Sequence, residues 1–417
     1  MKSLKVIGNK NLNGTIRISG AKNSAVALIP GTLLASGVTT LCNIPNILDI
    51  DALEDTLNYL NVKVTRASGS IMIDTTNLEN KEIPYELSKR LRASYYFMAI
   101  LLARFNHMEM AMPGGCEIGT RPIDQTLKAF RLLGAEIIER DEKIIIKADK
   151  LIGNTINLDM PSVGATINSI LVAVKANGKT IITNAALEPE ITDLCLMLNK
   201  MGAKISGYGT KEIEIEGVES LDGTNHDIIS DRIEAGTYTM IGALCGTHIK
   251  IDNIIPEHIK SLTDTLSLMG AHIDIHDDYL IIDNQNTLKS MEIKTDYYPG
   301  FPTDLQQPFT ALLTQCEGIS QMSENIYENR FMNVPYLNRM GAHIDAIGRT
   351  ATIYGPTKLA GCEVIATDLR AGASLLVAAL VADGETTIKE INHLLRGYEE
   401  IVEKLTNVGA KIEIEEI

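Results

Sequence analysis

Tryptophan is absent from this chain of 417 residues, and phenylalanine occurs only 6 times. Stacking platforms for single-stranded nucleic acid need exposed aromatics, so that class of partner is disfavoured. Positive charge is also short: 38 Lys and Arg stand against 53 Asp and Glu, a net charge of −15. Nucleic-acid backbones and anionic membranes reward clustered cations, and neither suits so acidic a chain. The 6 cysteines, Cys42, Cys116, Cys195, Cys245, Cys316 and Cys362, lie singly, with no C-x-x-C pair for zinc or redox work. A disulfide framework is not expected in so long a chain, and reduced thiols fit a cytoplasmic setting. The 8 histidines are scattered and show no HxxE spacing, so no metal and no cofactor are expected. The longest apolar runs, 95–103 and 373–382, are too short to span a bilayer. Met1-Lys2-Ser3-Leu4-Lys5 leads straight into a strand-like stretch without a signal peptide's apolar core. What is present is ample apolar material, 45% of residues, in a length that implies two domains or more. The expectation is a soluble cytoplasmic protein that meets any anionic ligand through a local concentration of Lys and Arg.

One phrase organises the chain: an apolar residue, Gly-Ala, any residue, then Ile. It occurs at 133–137, 201–205, 269–273, 340–344 and 408–412, with a decayed copy at 60–64. The six copies recur every 68 to 73 residues and account for the whole length. Leu127, Phe130 and Leu133 give helical spacing that stops on Gly134, which readily takes the left-handed conformation. The alternation in Lys411-Ile412-Glu413-Ile414-Glu415 is that of a half-buried strand, and the acidic residues 413–416 read as its solvated edge. Each unit therefore ends one helix and starts a strand at this phrase. A second, more apolar helix per unit is expected over 24–34, 93–102, 165–174, 236–244, 307–313 and 372–380. A period near 70 exceeds that of the usual solenoids. Three units to a domain, in two pseudo-symmetric lobes of α/β (α+β) class, is the economical arrangement.

Charged or small residues stand at the start of each apolar helix: GAKN at 20–23, Arg92-Ala93-Ser94, SVGAT at 162–166, Asp231-Arg232, Asp304 and DLRAG at 368–372. Free N–H groups and the positive dipole end suit such helix starts to phosphate-bearing ligands. Capping alone accounts for Ser162 and Asp304, but not for Lys22, Arg92 and Arg370 at the same place. The loop GGCEIGTRPID at 114–124 breaks the repeat and reads as shaped, exposed backbone. A cysteine in it, Cys116, five residues from Arg121, is a candidate tuned thiol, whereas the other five cysteines read as inert small hydrophobes.

These segments, with FPTD at 301–304, ENRFM at 328–332 and RGYE at 396–399, resemble the UDP-N-acetylglucosamine 1-carboxyvinyltransferases, a family of enolpyruvyl transferases related to EPSP synthase. The resemblance runs from the first strand to the last helix. It implies an inside-out α/β barrel of two lobes, each of three βαβαββ units, closing over a cleft. One lobe would comprise 1–20 and 230–417, with Asp304, Asp368, Arg370 and Arg396; the other would comprise 21–229, with the Cys116 loop and the nucleotide segments. It implies phosphoenolpyruvate and UDP-N-acetylglucosamine as small-molecule substrates, with inorganic phosphate released. By resemblance Lys22, Arg121 and Arg396 hold the anionic groups with Arg370 nearby, and Asn23 hydrogen-bonds the intermediate. Cys116 is the loop thiol, open to epoxides of the fosfomycin kind, and Asp304 is the base for the sugar hydroxyl. Arg121, Pro122, Ile123, Asp124 and Gln125 would take the uracil end, Ser162, Val163 and Gly164 the diphosphate, and Arg92 and Ile326 the remaining contacts. Met160-Pro161 stands where many relatives carry a Lys two residues before SVG, which shifts the burden to Arg92, Arg121 and backbone donors. Two alternatives remain at this point: a shikimate 3-phosphate enolpyruvyl transferase, and a catalytically retired regulator that binds the sugar nucleotide. The sequence is silent on oligomeric state.

Overall fold

A computed structural model describes residues 2–112, 122–140 and 142–416. The repeat is visible at one backbone position. Asn61, Gly134, Gly202, Gly270, Gly341 and Gly409 all take left-handed φ, from 62° to 106°. Each lies two residues past the end of a helix: Leu48–Tyr59, Asp124–Leu132, Pro189–Lys200, Lys260–Leu268, Val334–Arg339 and Ile401–Asn407. Each precedes a strand: Lys63–Ala67, Glu136–Arg140, Lys204–Ser206, His272–Ile275, His343–Ile347 and Lys411–Glu416. Asn is the residue after Gly that best tolerates this conformation, which is why the decayed copy still works.

Six small sheets, five of four strands and one of three, follow among the described residues. In one of them Glu212–Glu216 pairs antiparallel with Lys179–Thr183 and Lys204–Ser206, and Thr155–Asn157 adds a parallel strand. A second device recurs that the sequence reading missed. Asn43, Asn184 and Asn253 take positive φ just past a strand, and their side-chain amides donate to the carbonyls of Ile228, Leu158 and Ile18 at 2.8, 2.9 and 2.7 Å. Each ties the end of one strand to the residue following its parallel neighbour.

The described residues divide into two compact units, one of 2–19 with 230–416 and the other of 20–112 with 122–140 and 142–229. In the first, the helices Arg232–Cys245, Thr303–Leu313 and Leu369–Val381 pack on one another and are buried almost throughout. In the second, Tyr96–Phe105 packs against both Lys22–Gly31 and Val163–Ala173. Helices inside and sheets outside is the inverse of a barrel, and it explains why these helices read as apolar on every side. They begin earlier than the apolar spacing indicates, at Thr303 rather than 307 and at Arg232 rather than 236. Only Arg92–Tyr95 departs, as a single 3₁₀ turn before Tyr96–Phe105. The first turns are polar, so hydrophobic periodicity passes over them.

Each unit is closed by a distant piece of chain. Lys2–Ile7 lies between Glu385–Lys389 and Lys411–Glu416, antiparallel to both, and leaves the acidic strand 411–416 at the sheet edge. Leu12–Arg17 runs parallel to Gly246–Asp252. In the other unit Asn225–Asp227 runs back beside Val38–Cys42. The chain passes between units at Ser19–Gly20 and again at Ile229–Ser230. No helix among the described residues is long and apolar enough to cross a membrane.

Candidate active site

In the unit holding 230–417, Phe301-Pro302 feeds the helix Thr303–Leu313. Pro302 is its N-cap in an extended conformation, with no side-chain cap. Asp304 therefore does not serve as a cap, contrary to the plain reading of its position. It sits in the first turn, where a carboxylate meets the positive dipole end, and its two oxygens are shared between two arginines. Oδ1 accepts from Arg330 Nη2 at 2.5 Å and Oδ2 from Arg370 Nη2 at 2.7 Å. Both guanidiniums are buried, with side chains 3% and 7% exposed, while the carboxylate is 28% exposed. Aromatic faces support them: Arg330 lies over Tyr327 at 5.2 Å, and Arg370 over Tyr398 at 6.0 Å. Burial works to push the Asp304 carboxyl up, but Arg370 and Arg330 outweigh it and hold it well below the carboxylate range.

Asp368 shapes this corner as a cap. It caps Leu369–Val381 by accepting from the Arg370 and Ala371 N–H groups at 2.8 and 3.0 Å, and Gln307 donates to its other oxygen at 3.3 Å. That cap is what aims Arg370. Arg396 follows the short helix Asn392–Leu395 and shares a turn with Tyr398, whose hydroxyl lies 3.5 Å from Arg370. Ile326 precedes Arg330 in a turn pinned by Glu324, which accepts the Ile326 N–H at 2.8 Å. Asp304, Arg370 and Asp368 are thus gathered in one place. Arg330 joins them although the sequence marked only its surrounding motif; a lone arginine between Asn329 and Phe331 was the available signal.

In the other unit Lys22 and Asn23 open the helix Lys22–Gly31. A Cβ on Gly20 would stand 1.6 Å from the Asn43 carbonyl oxygen, so only glycine lets the chain enter that helix. Lys22 pairs with buried Asp49 at 2.7 Å, which fixes the ammonium at the helix start. The segments that the resemblance assigns to the nucleotide also come together. Ser162 caps Val163–Ala173 by accepting the Ala165 N–H at 3.3 Å. Gln125, beside Asp124 at the start of Asp124–Leu132 and following Pro122 and Ile123, accepts the Asp159 and Met160 N–H groups at 2.8 and 3.4 Å. A Cβ on Gly164 would stand 1.5 Å from the Tyr95 hydroxyl, and Arg92 lies over the Tyr95 ring at 5.7 Å. Tyr95 thus joins Arg92 to Gly164, a link the sequence reading missed. Cys116 and Arg121 lie outside the described residues. Burial pushes the thiols of Cys195, Cys245 and Cys316 up, the last two to about 12, which fits inert core cysteines.

Comparison with known proteins gives a consistent result. The sequence profile of EPSP synthase (3-phosphoshikimate 1-carboxyvinyltransferase) matches residues 6–405. UDP-N-acetylglucosamine 1-carboxyvinyltransferase 2 of Bacillus subtilis is 50% identical over 413 residues, 99% of this chain and 96% of that protein. The protein of the same name from Listeria monocytogenes is 47% identical over 409 residues, covering 98% and 97%. The crystal structure of the enolpyruvyl transferase NikO from Streptomyces tendae matches at a TM-score of 0.90 and 26% identity, over 99% of this chain and 98% of that one. EPSP synthase from Acinetobacter baumannii matches at 0.77 and 20% identity over 100% of both, a likeness of fold alone. A family profile that matches nearly the whole chain, with relatives this similar end to end, shows that the chain belongs to the EPSP synthase family.

Proposed function

We propose that this chain transfers the enolpyruvyl group of phosphoenolpyruvate to the 3-hydroxyl of UDP-N-acetylglucosamine and releases inorganic phosphate, a step toward peptidoglycan. The observation that carries it is Asp304 held between Arg330 and Arg370, in a chain half identical to a relative named for that reaction. Protonation of the methylene carbon makes C2 of phosphoenolpyruvate electrophilic. The sugar hydroxyl attacks C2 and gives up its proton. The tetrahedral adduct then loses a methyl proton and breaks the C2–O bond to phosphate, leaving the enol ether.

The residues divide this work by type. Asp304 is the base for the hydroxyl, and an arginine-paired carboxylate is a poor one. An arriving phosphate or carboxylate competes for the planar forks of Arg330 and Arg370, loosening the pair as it binds and raising the basicity of Asp304 when substrate is present. Arg396 adds charge for the same anion, and Asp368 keeps Arg370 in place. Lys22, Asn23 and Arg121 serve the phosphate-bearing intermediate, with Cys116 as the loop thiol that handles the proton or the adduct. Arg92, Pro122, Ile123, Asp124, Gln125, Ile326 and the N–H groups at Ser162, Val163 and Gly164 take the sugar nucleotide. A cationic, water-poor setting stabilises the charge that develops on the transferring group.

The deciding experiment measures phosphate release from phosphoenolpyruvate with each acceptor. Steady turnover with UDP-N-acetylglucosamine and none with shikimate 3-phosphate is the expected outcome. The reverse preference sinks the assignment, and binding of the sugar nucleotide without turnover makes the chain a regulator.

A further inference from the structure

The unit holding 230–417 contains a second set of charges that the proposed reaction does not use. Glu234, 2% exposed, stands in the first turn of Arg232–Cys245. Its Oε2 accepts the Ser19 backbone N–H at 2.8 Å, and its Oε1 accepts from the Lys404 ammonium at 2.6 Å. Lys404 also donates to Ser19 Oγ at 2.5 Å, and that hydroxyl donates in turn to Glu399. One ammonium therefore joins three pieces of chain far apart in sequence: the end of the N-terminal segment, the start of a central helix, and the stretch 396–404.

Such a group costs desolvation energy that a hydrophobic replacement would avoid, so stability is a weak explanation for it. What it fixes is more specific. Glu399 ends the turn Arg396-Gly397-Tyr398-Glu399, and Tyr398 donates to or accepts from Thr237, one helical turn beyond Glu234, at 2.8 Å. The turn is thus pinned to the same helix at two heights, by Tyr398 on Thr237 and, through Ser19 and Lys404, by Glu399 on Glu234. Arg396 stands at one end of this turn, and Arg370 rests on the Tyr398 ring in its middle.

We propose that Lys404 is a positioning residue for the anion-binding arginines: through Ser19 and Glu399 it sets the 396–399 turn so that Arg396 and Arg370 meet the phosphate and carboxylate of phosphoenolpyruvate. The proposal rests on the enolpyruvyl-transfer reading above. It requires Lys404 to act on one substrate and not the other, because the residues proposed for the sugar nucleotide lie largely in the 20–229 stretch.

The test compares full-length wild type, Lys404→Met and Lys404→Arg in steady-state kinetics, with phosphoenolpyruvate binding measured separately by calorimetry. Lys404→Met is expected to raise the KM for phosphoenolpyruvate about tenfold and leave that for UDP-N-acetylglucosamine within about twofold, with Lys404→Arg recovering most of the loss. An equal rise in both KM values, or no rise in either, overturns the proposal. Should Lys404→Met fail to fold, Glu399→Gln is measured instead, and an unchanged phosphoenolpyruvate KM overturns it equally. If the wild type turns over neither acceptor, the functional reading fails on its own. The calorimetric arm then decides: anion binding must weaken in Lys404→Met and return in Lys404→Arg.

Discussion

At Asp304 two substitutions that look alike are expected to behave differently. Asp304→Asn keeps the shape and a hydrogen-bond acceptor for the arginines, so it should bind both substrates and lose turnover by about 10²-fold or more in a phosphate-release assay. Asp304→Ala leaves Arg330 and Arg370 buried and unpaired, and a denaturant melt should show a loss of about 3 kcal/mol. Glu234 gives a pH signature of opposite sign. Burial pushes it from 4.5 up to about 7, Asp231 adds to that, and Lys404 and the Ser19 N–H oppose it, with Glu399 and Tyr238 also facing the cluster. The folded chain therefore holds a proton that the unfolded chain has released. Stability should fall as pH rises from 4.5 to about 7 and level off above that. Urea titrations across that range should lose this slope in Glu234→Gln. Asp304, held low, keeps its contribution above its ordinary 3.8 and adds no slope there. The Asp304 arrangement was only half legible in the sequence. Its motif was plain, but Arg330 lies 26 residues away and Arg370 lies 66 away. Which cations reach a carboxylate is decided by helix packing that no local pattern encodes.

Among the secondary-structure elements, the repeat phrase was the legible part, because a left-handed residue at a helix end has few solutions. Gly409 shows this cleanly: a Cβ there would meet nothing within 4 Å, so Gly409→Ala tests the backbone alone. With φ at 95° it should cost about 1 kcal/mol in thermal or chemical unfolding. Asn61→Gly at the equivalent place suits the backbone but deletes the side-chain hydrogen bonds to the Asn77 carbonyl and Glu79, so it should cost roughly a few tenths of a kcal/mol or more. Gly164→Ala is the contrasting case, limited by a neighbour and not by φ. Its methyl would displace the Tyr95 hydroxyl, so the expected outcome is about 1–3 kcal/mol of instability and a raised KM for UDP-N-acetylglucosamine. The apolar helices were also legible, although their starts were not. Arg232, Glu234 and Asp304 fill the first turns with charged groups that meet distant partners, and hydrophobic spacing stops short of them. The Asn43, Asn184 and Asn253 ties escaped notice because a single Asn after a strand is common.

For the whole molecule, the charge of −15 argues against nucleic-acid and membrane partners without describing the site. Cations that matter are few and buried, Arg330 and Arg370 among them, while acidic residues line strand edges such as 411–416. Each unit has its own hydrophobic core, so damage to one need not spread to the other. Removing residues 2–7 takes the middle strand out of one sheet and should expose sites in 230–417 to limited proteolysis, with 20–229 left protected. Equal loss of protection in both would contradict that independence. Two cores are what the length implied. Length says nothing of their membership, which the family resemblance gave as 1–20 with 230–417 and 21–229, since that depends on a chain that leaves one unit at Ser19 and returns to it at Ser230.

The strand Lys2–Ile7 also sets an order in time. It leaves the ribosome well before its partners Glu385–Lys389 and Lys411–Glu416. Until they emerge this apolar-faced strand has no sheet to join, whereas 20–229 has all its pairing partners once Asn225–Asp227 emerges. The unit that opens the sequence is therefore the one that finishes folding second, and its unpaired first strand is a place where nascent chains are exposed to chaperones or to one another.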